Sequence, residues 1–257
     1  MGTTGWLVIA AAAWIAAITT WNLLVVPWLK AGPRRDVVYG IFYRLVQIHA
    51  RLICRLKVQS PQTCPQAQDP GPLLVIANHT TSIDPALIQV VCPFPIRWMT
   101  ARSTVPAVLR AIVEYQKVIW VNRDGADMTP LKEAIDQIKD GGVVGMFPEG
   151  HIAVPPRFVQ PFHEGAGLIV SRTKCPVLLI WIHGTPDTDD VLPALTQRCH
   201  AKVTFVDLIK YPDTMKRDEI TQDLRHRLAA ASGWPLTDRS GVQSPPEPTA
   251  GVPLSSR

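Results

Sequence analysis

Residues 73–85 read Leu73-Leu74-Val75-Ile76-Ala77-Asn78-His79-Thr80-Thr81-Ser82-Ile83-Asp84-Pro85. The first five are apolar and unbroken, which predicts a short strand buried on both faces, Leu73–Ala77. Asp before Pro is a good helix start, because the carboxylate can cap and proline is preset for the first turn. The stretch therefore predicts a strand, a loop carrying His79, and a helix beginning at Asp84. Working outward, further strands are predicted at 96–100, 118–121, 143–147, Val177–His183 and 202–208. Helical patterns lie between them: after Thr129-Pro130 up to Gly141-Gly142, at 165–172, and at 218–231 with Ile220, Leu224 and Leu228 on one face. This alternation predicts an α/β fold, a mixed sheet flanked by helices.

In such sheets ligands bind where strands end. At the first exit, a carboxylate at Asp84 can meet one ring nitrogen of His79 and leave the other facing a cleft as a proton acceptor. A second exit, after 143–147, carries Pro148-Glu149-Gly150, and glycine lets a ligand approach the backbone. A third places Arg123 just after 118–121, where its guanidinium suits a phosphate. Taken singly, each has an ordinary alternative: Asp84 as a helix cap, Arg123 as a surface ion-pair residue.

Residues 6–29 are almost wholly apolar and uncharged. As a helix they span roughly 36 Å, against roughly 30 Å of hydrocarbon. Trp6 and Trp28 stand near the two ends, as interfacial anchors do, and Lys30, Arg34 and Arg35 follow at once. This asymmetry predicts a membrane helix with the following chain on the cytoplasmic side. A cleaved signal peptide would want basic residues first and a shorter run. Gly32-Pro33 breaks the helix, and 37–58 predict a second, amphipathic one. Val38, Phe42, Leu45, Ile48, Leu52 and Leu56 recur at three- and four-residue spacings, with Arg44, Arg51 and Arg55 on another side. Such a helix suits a headgroup layer or the surface of a globular domain, and a hairpin dipping into one leaflet is a third arrangement. The organisation expected is membrane-anchoring helices at 1–58, a linker at 59–71, the globular domain at 72–232 and a Pro/Ser-rich disordered tail at 233–257.

Composition narrows the chemistry. The 257 residues are 47% hydrophobic, enough for one core-bearing domain and a membrane segment. A formal charge of +5 suits an anionic surface or phosphorylated ligands. No Lys/Arg-rich run or zinc-finger spacing points to nucleic acid. Five cysteines, an odd number with no CxxC, argue against a disulfide framework and a thiolate metal site. The histidines form no HExxH, so no metal is expected, and no GxSxG supports a serine hydrolase.

Together the exits are specific. Asn78-His79 with Asp84 matches an NHX4D motif and Phe147-Pro148-Glu149-Gly150 an FPEG motif, with Arg123 between them and Pro176 leading the block that follows. On these residues the chain, over about 70–210, resembles the glycerolipid (lysophospholipid) acyltransferase superfamily, typified by 1-acylglycerol-3-phosphate acyltransferases. Its FPEG stretch with Glu164-Gly165-Ala166-Gly167 is also similar to the acyltransferase half of bacterial 2-acylglycerophosphoethanolamine acyltransferases. The resemblance implies an O-acyltransferase of phospholipid synthesis or remodelling. It would move a fatty acyl group from acyl-CoA or acyl carrier protein to the hydroxyl of a lysophospholipid or lysophosphatidate. It implies His79 as general base, Asp84 as its partner, and Arg123, Phe147, Pro148, Glu149 and Gly150 as acceptor-binding residues. It implies no cofactor beyond the acyl donor as co-substrate, membrane lipid as the other partner, and a bacterial-type inner membrane or its equivalent as the location.

The chain departs from the family pattern. His151-Ile152 stand where Thr-Arg or Arg-Ile is usual, with Arg157 the nearest substitute. Glu114-Tyr115-Gln116 replace a glycine before the arginine block, and Phe162-His163 replace Phe-Lys. Losing two cations shifts the expectation away from lysophosphatidate, toward a zwitterionic lysophospholipid or another lipid alcohol or amine. The alternative is a non-catalytic lipid-binding protein on the same fold, which would need neither His79 nor Asp84.

The chemistry is consistent with one base. A neutral imidazole, with an ordinary pKa of about 6.5, can take the proton of a lipid hydroxyl as it attacks a thioester. The thiol leaves readily, its ordinary pKa being about 8.5. The oxyanion needs donors, and the backbone amides of the loop around 80–84 are the nearest candidates.

Overall fold

The computed structural model describes residues 2–122, 127–152, 157–188 and 190–238. Helix α1 (Thr3–Thr20) passes through a π-helical turn (Trp21–Val25) into α2 (Val26–Lys30), one rod of 28 residues. Pro27 accounts for the wide turn, since it has no N–H to return to the preceding turn. None of α1 is buried, and by length and composition the rod is able to cross a membrane.

The chain turns back into α3 (Val37–Leu52), whose first turn is capped by Asp36 Oδ1 accepting from Tyr39 N at 2.7 Å. Gly40 allows the helices to touch, because a Cβ there would collide with the carbonyl of Leu29. The hairpin is fastened to the domain. Arg34 donates to the carbonyls of Tyr115, at 3.0 Å, and Gln116, and Tyr115 Oη donates to Asp36 Oδ1 at 2.6 Å.

Helix α3 corrects the reading of 37–58 as one helix. It ends at Leu52, and β1 (Lys57–Gln59) forms the edge strand of the sheet. Cys64, in the stretch read as a linker, is buried in the core. Both sides of α3 are used. Ala50 enters the core, while Val38, Ile41, Leu45, Ile48 and Leu52 form an apolar stripe that stays exposed.

The remaining strands are β2 (Leu73–Ala77), β3 (Arg97–Ala101), β4 (Ile119–Val121), β5 (Val143–Met146), β6 (Val177–His183) and β7 (Lys202–Ile209). Each lies within a residue of its expected bounds. Their order is β1-β7-β6-β2-β5-β3-β4, and every neighbouring pair is parallel except β6 with β7. The helices are α4 (Asp84–Gln89), α5 (Arg110–Tyr115), α6 (Thr129–Lys139), α7 (Gly165–Thr173), α8 (Val191–Thr196) and α9 (Arg217–Ser232). The two not expected, α5 and α8, are too short to show a helical period.

Strand β2 is central and wholly buried, and its residues alternate between two cores. Leu73, Val75 and Ala77 pack with Leu87 and Ile88 of α4 and Ala50 of α3. Leu74 and Ile76 pack with Ala134 and Ile138 of α6, Ile169 of α7 and Leu224 of α9. Past α9 the chain does not fray at once. Val159 bridges Leu236, with Val159 N donating to Pro235 O at 3.0 Å, and buried Arg225 donates to the carbonyls of Gln160 and Thr237. Residues 233–238 thus belong to the packed domain, contrary to a disordered tail beginning at 233. The expectation for 239–257 lies outside the described residues.

Candidate active site

Two exits meet because their strands are neighbours. β2 pairs in parallel with β5, Ile76 opposite Met146, so both chains leave the sheet at one end, side by side. The ring of His79 consequently stacks on that of Phe147, 4.1 Å between centroids and 14° from parallel. Trp98 of β3 stacks on the other side of Phe147, at 5.0 Å and 9°. Trp98 has room because Gly145 lies opposite it: a Cβ at Gly145 would stand 2.6 Å from the Trp98 ring.

Asn78 fixes where the first exit begins. It is buried, and its amide mimics a peptide toward β6, with Nδ2 donating to Ile182 O and Oδ1 accepting from Ile182 N, each at 2.8 Å. The loop then wraps around Asp84. Its Oδ2 accepts from Thr80 N at 2.7 Å, Thr81 N at 2.8 Å and His79 Nδ1 at 3.0 Å, and Thr80 Oγ1 donates to the same carboxylate at 3.2 Å. Asp84 therefore does not cap its own helix, as an Asp-Pro pair ordinarily would; it gathers the loop in front of it. Thr80 Oγ1 also meets Thr185 Oγ1 at 2.7 Å, and Thr81 Oγ1 donates to Thr188 O at 3.0 Å, which ties the loop to the chain leaving β6.

This arrangement sets the tautomer. Asp84 is fully enclosed and, as a carboxylate, only accepts, so the proton of a neutral His79 sits on Nδ1 and the lone pair on Nε2. The His79 side chain keeps 16% of its surface exposed, enough for a reactant to approach. The amides of Thr80 and Thr81 are committed to Asp84 and do not supply the oxyanion donors expected from this loop.

The second exit is laid out differently from expectation. Gly150 takes a positive φ of 73° that closes a turn, its N–H donating to Phe147 O at 3.0 Å, and the His163 ring packs against its Cα. Pro148 and Glu149 are buried. Both Glu149 oxygens are enclosed, and among the described residues neither completes a hydrogen bond of ordinary geometry. Burial pushes its carboxyl up to about 8, against the pull of the nearby His79 and Gln160 backbone and of Arg225, and the charge of Asp84 pushes the same way as burial. At neutral pH Glu149 holds its proton for most of the time. It forms part of the inner wall rather than the open face that the motif suggested. His151 donates from Nε2 to Gln160 Oε1. Arg123 lies outside the described residues.

Trp98, Gln160, Thr185 and Arg225 join this neighbourhood without any signal in their spacing. Only the pairing of β3 with β5 brings Trp98 beside Phe147. Among the described residues, no group of three or more His, Cys, Asp or Glu is placed to hold a metal.

An imidazole oriented by a buried carboxylate at the open end of an α/β sheet is equipped for proton abstraction during group transfer. The chain belongs to the Acyltransferase family, whose family model matches residues 55–183. Among solved structures it is similar to the 1-acyl-sn-glycerophosphate (LPA) acyltransferase PlsC from Thermotoga maritima. The TM-score is 0.60 at 17% identity, over 77% of this chain and 82% of that one. No curated protein matches it in sequence.

Proposed function

We propose that the chain transfers a fatty acyl group from acyl-CoA or acyl carrier protein to the hydroxyl of a lysophospholipid or lysophosphatidate at a membrane. The observation that carries this reading is the His79 Nδ1–Asp84 Oδ2 hydrogen bond, which leaves Nε2 as a base beside an open strand end. Nε2 takes the proton of the acceptor hydroxyl as its oxygen attacks the thioester carbonyl. Asp84 stabilises the imidazolium that forms, and the thiolate leaves when the tetrahedral adduct collapses. Phe147 and Gly150 would line the acceptor's path, Pro148 and Glu149 would shape the wall behind it, and Arg123 would hold the phosphate. The similarity to the Thermotoga maritima protein, an acyltransferase of 1-acyl-sn-glycerophosphate, supports the choice of a phosphorylated glycerolipid acceptor. The missing cations at 151 and 163 favour a zwitterionic acceptor over lysophosphatidate.

The membrane part of the reading rests on exposed apolar surface. The rod formed by α1 and α2 buries almost nothing, and the outward stripe of α3 continues beside it. Burying these side chains in lipid is strongly favourable, at about 25 cal/mol per Å² of apolar surface. The basic residues after the rod favour a cytoplasmic catalytic domain. The test is thioester consumption by protein in mixed micelles, with lysophosphatidate, lysophosphatidylcholine, lysophosphatidylethanolamine and lysophosphatidylglycerol offered in turn. Acyl transfer to at least one of them is expected. Binding of these lipids without any thioester consumption would instead fit a lipid carrier.

A further inference from the structure

A groove of about 750 Å³ runs between α3, β1 and the far end of α4. It is separate from the His79 site: Asp84 opens α4, whereas Val90 and Val91, which line the groove, follow the other end of that helix. Its charged lining residues are Arg44, Arg51, Arg55 and Lys57, and no carboxylate is among the residues that line it. Ile48, Leu52, Leu56, Val58 and Trp28 are among its apolar lining residues.

We propose that this groove binds the phosphate headgroup of an anionic membrane phospholipid that is not the substrate, the inference resting on the reading that α1 and α2 lie in a membrane. Trp28, near the end of the apolar rod, marks the interfacial level. Arg44 is held at that level, donating to Trp28 O at 2.8 Å with its guanidinium 4.7 Å above the Trp28 ring. Its Nε is buried and has no acceptor among the described residues. Arg55 follows the end of α3 with a positive φ of 43°, and its Nη1 donates to His200 Nε2 at 3.2 Å, which holds its cation beside the groove it lines. Arg51 and Lys57 are exposed and have no acidic partner among the described residues. Ile48 and Leu52 belong both to the groove lining and to the outward stripe of α3, so acyl chains can follow the stripe while the headgroup meets the cations.

The experiment uses the full chain in phosphatidylcholine vesicles with a trace of spin-labelled phosphatidylglycerol or phosphatidylcholine, read as the motionally restricted fraction. Wild type should prefer phosphatidylglycerol by about fivefold or more. The triple variant Arg51→Ala, Arg55→Ala, Lys57→Ala should lose that preference. So should Val91→Trp, which fills the groove and leaves every charge in place. Arg35→Ala, a cation outside the groove bonded to Gln68, should keep it. Unchanged melting temperatures establish that the variants are folded. A preference that survives Val91→Trp would mean diffuse surface charge and overturn the proposal. Equal affinity of wild type for both labels would overturn it and leave the membrane reading intact. Protein that fails to enter vesicles at all would overturn both. If the triple variant loses only affinity for acyl carrier protein, the groove serves the acyl donor and the proposal is wrong.

Discussion

The ring of Phe147 lies flat against the ring of His79, 4.1 Å away. That contact joins two motifs 68 positions apart in sequence, as the difference between 147 and 79 shows. It holds one face of the imidazole while Asp84 holds its Nδ1, which leaves the Nε2 edge uncommitted to either. If His79 is the base proposed above, a ring restrained in this way would lose little orientation entropy on meeting the acceptor.

His79→Ala should lower the rate of acyl transfer by about 10²-fold or more without unfolding the protein. Asp84 would keep the amides of Thr80 and Thr81 and the Thr80 hydroxyl, so no buried charge is stranded. Thioester consumption and thermal melting, run on the same preparation, check both halves. A variant with wild-type rates would remove His79 as the base.

Asp84→Asn should cost both rate and stability. An amide side chain has one oxygen where the loop offers two backbone N–H groups, a hydroxyl and the His79 Nδ1–H, and its NH₂ would face donors. A loss of about 1–3 kcal/mol in urea unfolding is expected, beside a rate loss like that of His79→Ala. Stability lost with the rate intact would reduce Asp84 to a fastener of the loop.

Gly145→Ala probes the ring stack from behind. The new methyl would stand 2.6 Å from Ile96 and Trp98, so the indole must move and Phe147 with it. The expected cost is about 1–3 kcal/mol, with a fall in kcat larger than any rise in KM. If kcat is unchanged while stability falls, the stack has no part in orienting His79.

Glu149 should make the fold weaker as pH rises. Between the ordinary carboxyl value of 4.5 and about 8, the folded protein keeps a proton that the unfolded chain has released. Stability is therefore lost as pH climbs through that window. Glu149→Gln, neutral throughout, should flatten this slope, so urea midpoints of the two proteins diverge in favour of the variant from about pH 5 to pH 9. Parallel pH profiles would mean that the carboxylate ionises inside the fold without cost.

Local physics made much of this molecule readable from its residues. The unbroken run Leu73–Ala77 announces a strand buried on both faces, the apolar rod announces itself by length, and Ile220, Leu224 and Leu228 pack where their spacing says. His79 and Asp84 were legible because a strand exit and a helix start five residues apart leave few ways to fold. Other features depend on which distant segments become neighbours, and only the tertiary structure decided them. Strand order put Phe147 beside His79 and Trp98 beyond it, enclosure turned Glu149 from a cleft carboxylate into a protonated wall residue, and two loop amides claimed Asp84 from its helix. Lys57–Gln59 became a strand because β7 offered an open edge. Periodicity reports a segment's own geometry and its apolar faces. It carries no information on the partner each face meets, which is set by long-range packing.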